Sequence, residues 1–328
     1  MNAKEFVDSL FEGYEQTQSL ADFKEEMLGN LNAKIENLVK NGMEIEAAAA
    51  KAFAELGDVA QLADEFSLKK TKGTFLDGAF SCVVLECKAD VNIHPGKQQH
   101  RAVISGGGDT KDRITTEIRG NALHICEKEK PGFFHRSKPT VDVYLSRLEA
   151  VKLMGAGDIS VDDYVAENLN VEISGCGDIT LGNGSIETLD IGISGKGDIT
   201  LGEGDIGAVN IRLSGLGDIT FGTGDIGTLD IGISGKGDIT LGEGDISALD
   251  IRLSGCGDIT FGNGNVGALT VNLSGMGDVI MGNGNIGTLD ANISGMGNII
   301  LGNGKVESTK TSVSGIGKIY HAAEGGKK

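Results

Sequence analysis

The residues of this chain with the clearest chemistry stand in columns. Asp158, Asp178, Asp198, Asp218, Asp238, Asp258 and Asp278 each close a Gly-x-Gly-Asp tetrad, and the tetrads recur every 20 residues without an insertion. Asn298 and Lys318 hold the same position in the last two copies. A fixed period in this range marks stacked units, so the carboxylates should line up one coil apart. At ~4.8 Å in water, neighbouring carboxylates repel by about 0.9 kcal/mol. Such a column needs compensation, and two chemistries supply it. Each carboxylate can accept backbone N–H groups at its own corner, as Asp does in turns. Alternatively, Asp178, Asp198, Asp218, Asp238, Asp258 and Asp278 hold a row of hard cations such as Ca²⁺. The repeat is not of the nine-residue calcium-binding type, and Asn298 would end the row. Corner chemistry is therefore the expectation, with no metal and no cofactor. Repeated Gly-x-Gly also suggests a phosphate cradle, but such a loop must open a helix. Neither these tetrads nor Gly106-Gly107-Gly108-Asp109 does so.

A second column lies between the paired glycines: Ala156, Cys176, Lys196, Leu216, Lys236, Cys256, Met276, Met296 and Ile316. Tucked inward, it is ordinary core. Turned outward, Leu216, Cys256, Met276, Met296 and Ile316 form an apolar stripe for a partner. The five histidines are scattered, and identical coils offer rows rather than the unique cluster of acids and bases that catalysis needs. The chain is thus expected to be no enzyme. A polysaccharide-acting β-helix enzyme is the remote alternative. Cys82, Cys87, Cys126, Cys176 and Cys256 show no zinc or redox spacing. Cys176 and Cys256 are four coils, or about 19 Å, apart, too far to bridge. Free thiols fit a reducing compartment.

These columns need a scaffold that returns to the same place every 20 residues. In the copy from Ser174 to Ile193, Ile179 and Leu181 alternate around Thr180, so they share one face of a strand. Gly182-Asn183-Gly184 turns the chain, Ile186 stands alone, and Leu189, Ile191 and Ile193 alternate again. Three short strands per coil make a mainly β, single-stranded parallel β-helix, a solenoid of 20-residue coils. The position of Leu181 reads Leu201, Phe221, Leu241, Phe261, Met281 and Leu301, as an inward stack must. The glycines supply positive φ and close backbone approach at the corners. Nine regular coils span 151–321. Residues 73–150 hold strands at Val83–Cys87, Val91–Ile93, Arg101–Ser105, Ile114–Ile118, Leu123–Cys126 and Val141–Leu145, without the repeat. They suit the atypical first coils of a solenoid, so 73–328 is one domain.

Residues 1–72 differ in kind. They carry 8 basic and 14 acidic side chains and read as a small all-α bundle. Phe6, Leu10, Phe11 and Tyr14 have helical spacing. Ser19 with Asp22 approaches a capping box. Phe23, Met27, Leu31, Ile35 and Leu38 line one face, and Asn41-Gly42 ends that helix. An Ala-rich helix from Glu44 to Leu56 follows, and Asp58 caps a fourth. The net charge of −18 gives no basic footprint for nucleic acid, and no apolar run is long enough to span a membrane. The N-terminus lacks a secretory signal pattern, so the expected location is the cytoplasm.

Two resemblances follow from these residues. Gly42-Met43-Glu44-Ile45-Glu46-Ala47, then Ala54-Glu55-Leu56-Gly57-Asp58 with Leu62-Ala63, resembles the HAAS family of small cytoplasmic helical modules. That likeness covers residues 1–67 and implies a protein partner docking on the helices. The phrase Val171-Glu172-Ile173-Ser174-Gly175-Cys176-Gly177-Asp178-Ile179 resembles the head-GIN family of auto-transporter adhesins. Val83 to His94, Val141 to Leu145 and Ser314-Gly315-Ile316-Gly317-Lys318-Ile319-Tyr320 match as well. The likeness covers 75–321 and implies a parallel β-helix with an adhesin-like role and no catalytic residues. A HAAS-like module stands where a surface adhesin would carry its secretion signal. The expectation is a cytoplasmic structural or regulatory scaffold with end-to-end or homo-oligomeric contacts, and the alternative is a cell-surface adhesin binding glycan or protein.

Overall fold

The computed structural model describes residues 3–11, 18–54, 74–75, 78–97, 100–105, 113–128 and 138–321. The chain divides into two compact units, Met1–Thr74 and Phe75–Lys328. The fourth helix expected from Asp58 and the degenerate tetrad at Gly106–Asp109 lie outside the described residues.

The first unit has helices at Ala3–Leu10, Gln18–Lys40 and Ile45–Ala54. Val7, Phe11, Met27, Leu31 and Ala52 are its buried centre, with Phe23, Ile35 and Leu38 packed on it. The Phe6 and Phe53 rings stack at 4.1 Å. Gly42 has φ 89°, and Met43 N–H reaches back to the Leu38 carbonyl at 3.1 Å. That is a left-handed helix stop of the expected kind. The helix begins at Gln18 rather than after Ser19, so Ser19 is not its cap. Among the described residues no helix is long and apolar enough to cross a membrane.

The second unit is a β-solenoid. Two sheets run its length, one of 13 short strands and one of 12 longer strands. Within the regular coils every pair is parallel and offset by one repeat: Ile179 beside Ile199, and Leu189 beside Val209. The expected inward positions Ile179, Leu181, Ile186, Leu189, Ile191 and Ile193 are all buried. The expectation of three strands per coil needs correction. Ile186 and Leu189–Ile193 belong to one strand, Gly184–Ile193. Residue 187 is skipped in the pairing, and both Ile186 and Leu189 face inward, so a corner is hidden inside a continuous strand. A third wall survives only as single bridges, from Ala156–Cys176 to Lys236–Cys256.

Of the two roles expected of the corner glycines, close backbone approach is general and positive φ is confined to a few, such as Gly177 and Gly204. What they share is closeness to the coil before. A Cβ on Gly195 would run into the Gly175 carbonyl oxygen, and one on Gly237 into that of Gly217. Close approach, not backbone handedness, demands glycine there.

The head of the solenoid is built from distant segments. Cys82–Leu85 pairs with Ala150–Leu153, and Asp90–His94 pairs with Ile159–Val161. The chain between them adds an antiparallel pair near the head of each sheet: Arg101–Ser105 on Thr140–Tyr144, and Ile114–Arg119 on Ala122–Glu127. At the other end, Val306–Val313 is the last long strand. Its inward positions carry Thr309 and Thr311, both exposed, where Leu289 and Ala291 are buried one coil earlier. Polar threonines on an edge strand blunt further pairing.

Candidate functional site

The Asp column runs down one corner, and the glycine before each Asp floors a groove. Across the groove stands the column between the glycines. From Cys176 to Met276 the groove has a volume of about 950 Å³. Sequence left the second column open between core and surface. It points outward: Leu216, Met276, Met296 and Ile316 are 51%, 59%, 54% and 78% exposed, and Cys256 is half-buried. Lys196 and Lys236 are exposed in the same column. The stripe residues therefore do line up on one edge.

The carboxylates do not bond to their own corners. Each accepts the backbone N–H of the residue one coil later, an Asp at every rung but the last, where Asn298 N–H donates to Asp278 Oδ1. Asp198 N–H donates to Asp178 Oδ1 at 2.9 Å, Asp218 to Asp198 at 2.8 Å, and Asp238 to Asp218 at 2.7 Å. Asp258 and Asp278 continue the series at 2.7 and 2.8 Å. Asn298 takes over the acceptor role for Lys318 at 3.0 Å, so a neutral amide serves as well as a carboxylate. Among the described residues no three His, Cys, Asp or Glu side chains converge as metal ligands would.

Sequence reasoning missed the first rung. Asp158 N–H donates to Asp90 Oδ1 at 2.9 Å across 68 residues of chain. Lys138 Nζ lies 2.5 Å from Asp90 and 3.2 Å from Asp158, so a cation screens the top of the column. The Asp178 N–H, with Lys138 behind it, holds the Asp158 carboxyl below its usual range against the effect of burial. Burial opposes the Lys138 charge, but hydrogen bonds to Asp90 and Asp158 outweigh it and raise its pKa. Two further ladders, one between the second pair of glycines and one just after it, were also missed. Asp163 accepts from Asn183 N–H and Asn183 from Glu203 N–H, both at 2.8 Å. Asp225, Asp245 and Asn265 N–H donate in turn to Asp205, Asp225 and Asp245. The signal was present in the sequence: both columns are rich in Asp, Asn and Glu.

The histidines are less scattered than their numbering. His94 Nδ1 lies 2.6 Å from Asp162 and its Nε2 3.5 Å from Asp142. Its ring stacks on Tyr144 at 4.5 Å, and the Arg101 guanidinium sits 4.1 Å from the centre of that same tyrosine ring. Burial disfavours the imidazolium, but hydrogen bonds to Asp142 and Asp162 outweigh it, so the His94 pKa is raised. Burial likewise opposes the Asp142 charge, and His94 and Asn92 overcome it to lower its pKa. The histidine contribution is complete below its unfolded value of about 6.5 and fades as pH rises through the folded one. The Asp142 contribution is present above about pH 4 and is lost as pH falls through its folded value. Thermal melting against pH should show parent and His94→Gln diverging most in mildly acid buffer and converging as pH rises. Parallel curves would rule the clamp out.

Two of the five thiols, Cys126 and Cys87, do not suit nucleophilic work. Burial, then its hydrogen bond to Glu86, pushes the Cys126 thiol up to about 11. Burial raises Cys87 to about 12.

The sequence profile of the family described as putative auto-transporter adhesin, head GIN domain, matches residues 79–259 and 220–325. The chain belongs to this family. No curated protein matches it. Several solved structures share the fold of this chain, three of them as follows. A putative adhesin from Parabacteroides merdae superposes with a TM-score of 0.57 at 16% identity, covering 76% of this chain and 95% of that one. Putative adhesins from Bacteroides fragilis and Parabacteroides distasonis each give 0.50 at 17% identity, with the same coverage. In this head GIN chain the repeated acids and glycines are chiefly inter-coil joinery.

Proposed function

We propose that this chain is a non-enzymatic interaction scaffold: an adhesin-family β-solenoid that presents axial columns of side chains to a protein partner, beside a HAAS-like helical module that docks another protein. The exposed column of Leu216, Met276, Met296 and Ile316 carries this reading. Each has inward alternatives in the same coil, yet large apolar groups stand in water along one edge, which is where partner surfaces lie. Replacing all four by Ser should leave the melting temperature within about 2 °C of the parent, since exposed positions contribute little. It should abolish capture of the partner that the full chain retains from its own cells, whereas removing residues 1–72 should abolish a different capture. Unchanged capture by the Ser variant would count against the stripe.

The cytoplasmic reading rests on five free cysteines and the helical module. Family membership favours the second reading, a cell-surface adhesin. Exposed Cys176 separates them. A membrane-impermeant maleimide should label the protein only after lysis if it is cytoplasmic, and in intact cells if it is on the surface.

A further inference from the structure

The apolar stripe has two unlike flanks. Two residues before its members stand Ser214, Ser254, Ser274, Ser294 and Ser314, all exposed. Two residues after them stand Asp218, Asp258 and Asp278, then Asn298 and Lys318. Every coil crosses the axis in the same direction, so one flank is neutral and the other is acidic from Asp218 to Asp278. Each of these carboxylates commits Oδ1 to the N–H one coil later, at 2.7, 2.7, 2.8 and 2.6 Å for Asp218, Asp238, Asp258 and Asp278. Oδ2 takes no part in that bond. At the head, Lys138 pairs with Asp158. Among the described residues no ion pair joins the acids from Asp218 to Asp278, and one lysine, Lys236, stands among the four of them.

The spacing of the stripe selects the shape of what can lie along it. Leu216 to Ile316 is five coil steps, or about 24 Å at ~4.8 Å each. A helix of about 16 residues has that length. Its turns rise ~5.4 Å, so the drift against the coils is about 3 Å over the whole stripe. An extended strand repeats one face every ~6.8 Å and drifts about 10 Å. Met276 and Met296 are unbranched and can absorb the smaller mismatch, as methionines do on helix-binding surfaces. The acids exclude an anionic membrane surface, which they would repel.

We propose that this stripe seats an amphipathic helix of a partner protein, with its apolar face on Leu216, Met276, Met296 and Ile316 and a basic flank along Asp218, Asp238 and Asp258. The proposal deepens the scaffold reading above and rests on the stripe being partner surface. The basic residues belong on one side of the helix only, since the serine flank offers no charge.

The test titrates the full chain with three synthetic amphipathic helices of about 18 residues. They share one leucine face and carry Lys, Gln or Glu along one flank. Fluorescence anisotropy reads affinity, and mass spectrometry reads alkylation of the native cysteines by iodoacetamide. Cys256 is half-buried within the stripe, whereas Cys176 is exposed two coils before Leu216 and serves as the internal reference. The Lys helix should bind about 10-fold tighter than the Gln helix at low salt, as three surface ion pairs imply, and the advantage should shrink as salt rises. It should slow alkylation of Cys256 and not of Cys176. The triple variant Asp218→Asn, Asp238→Asn, Asp258→Asn keeps the ladder acceptors and should lose the preference for Lys. The stripe variant with four Ser substitutions should bind none of the three. No binding by the Lys helix, equal or tighter binding of the Gln or Glu helix, unchanged alkylation of Cys256, an undiminished Lys preference in the Asn variant, or equal protection of Cys256 by phosphatidylcholine vesicles would overturn the proposal. In each of those outcomes loss of cellular partner capture by the stripe variant would still stand for the scaffold, and retained capture would defeat the scaffold reading itself.

Discussion

Gly237→Ala should break the solenoid in the middle, while Gly232→Ala, five residues away, should be almost silent. The two glycines sit in the same coil and look alike in sequence. A Cβ on Gly237 would collide with the carbonyl oxygen, carbonyl carbon and nitrogen of Gly217. All three are backbone atoms already fixed by the stacking, so none can swing aside. Relief requires moving one whole coil off another, which would strip the ladder bond from Asp238 to Asp218. The expected loss is at least ~3 kcal/mol, at the upper end of overpacking effects. Because each coil touches only its neighbours, the break should also split unfolding into two steps. At Gly232 the nearest atom to a new Cβ is the Ile211 carbonyl oxygen at 3.6 Å, an ordinary contact. Alanine is preferred to glycine within a strand, so Gly232→Ala should change stability by less than about 1 kcal/mol. Denaturant melts followed by far-ultraviolet circular dichroism would show it. Equal effects at both positions would mean the glycines are there for flexibility.

The Thr309→Leu, Thr311→Ile double variant should convert the chain into one that associates end to end. These two threonines occupy the inward columns that read Leu289 and Ala291 one coil earlier. In the last coil they face water, and Val313 beside them is 47% exposed. Restoring the interior residues would leave an apolar end face bordered by unpaired strand edges, the recipe for edge-to-edge pairing. Sedimentation should show larger, concentration-dependent species for the variant than for the parent. An unchanged profile would show that the threonines do not guard this end.

Local rules made most of the solenoid legible. The 20-residue period, the alternation of Ile179 with Leu181 and the constant apolar columns define coils with a buried interior, and the structure has them. Relations that cross the period were harder to see. The N–H that pairs with Asp178 belongs to Asp198, so a corner considered alone offers the wrong donor. Asp90 joins the same ladder 68 residues early, because the head coil is interrupted by strands that cap each sheet. His94 meets Asp142 and Asp162 for the same reason. The choice between core and surface for Leu216 and Met276 was undecidable from residue type, since both types suit both places. It is settled by the glycines on either side, whose backbone lies against the coil below and turns the residue between them outward.

The central claim is that the aspartate column joins coils and is not a ligand row. Thermal melting with and without Ca²⁺ at matched ionic strength tests it most directly, on the parent and on a variant with Asp178, Asp198, Asp218, Asp238, Asp258 and Asp278 all replaced by Asn. The account predicts no Ca²⁺-specific shift in the parent. It also predicts a folded variant that melts no lower, since Asn298 already bonds Lys318 in this way and the like-charge repulsion is gone. A Ca²⁺-specific rise in the parent that the Asn variant loses, or an Asn variant that fails to fold, would contradict it.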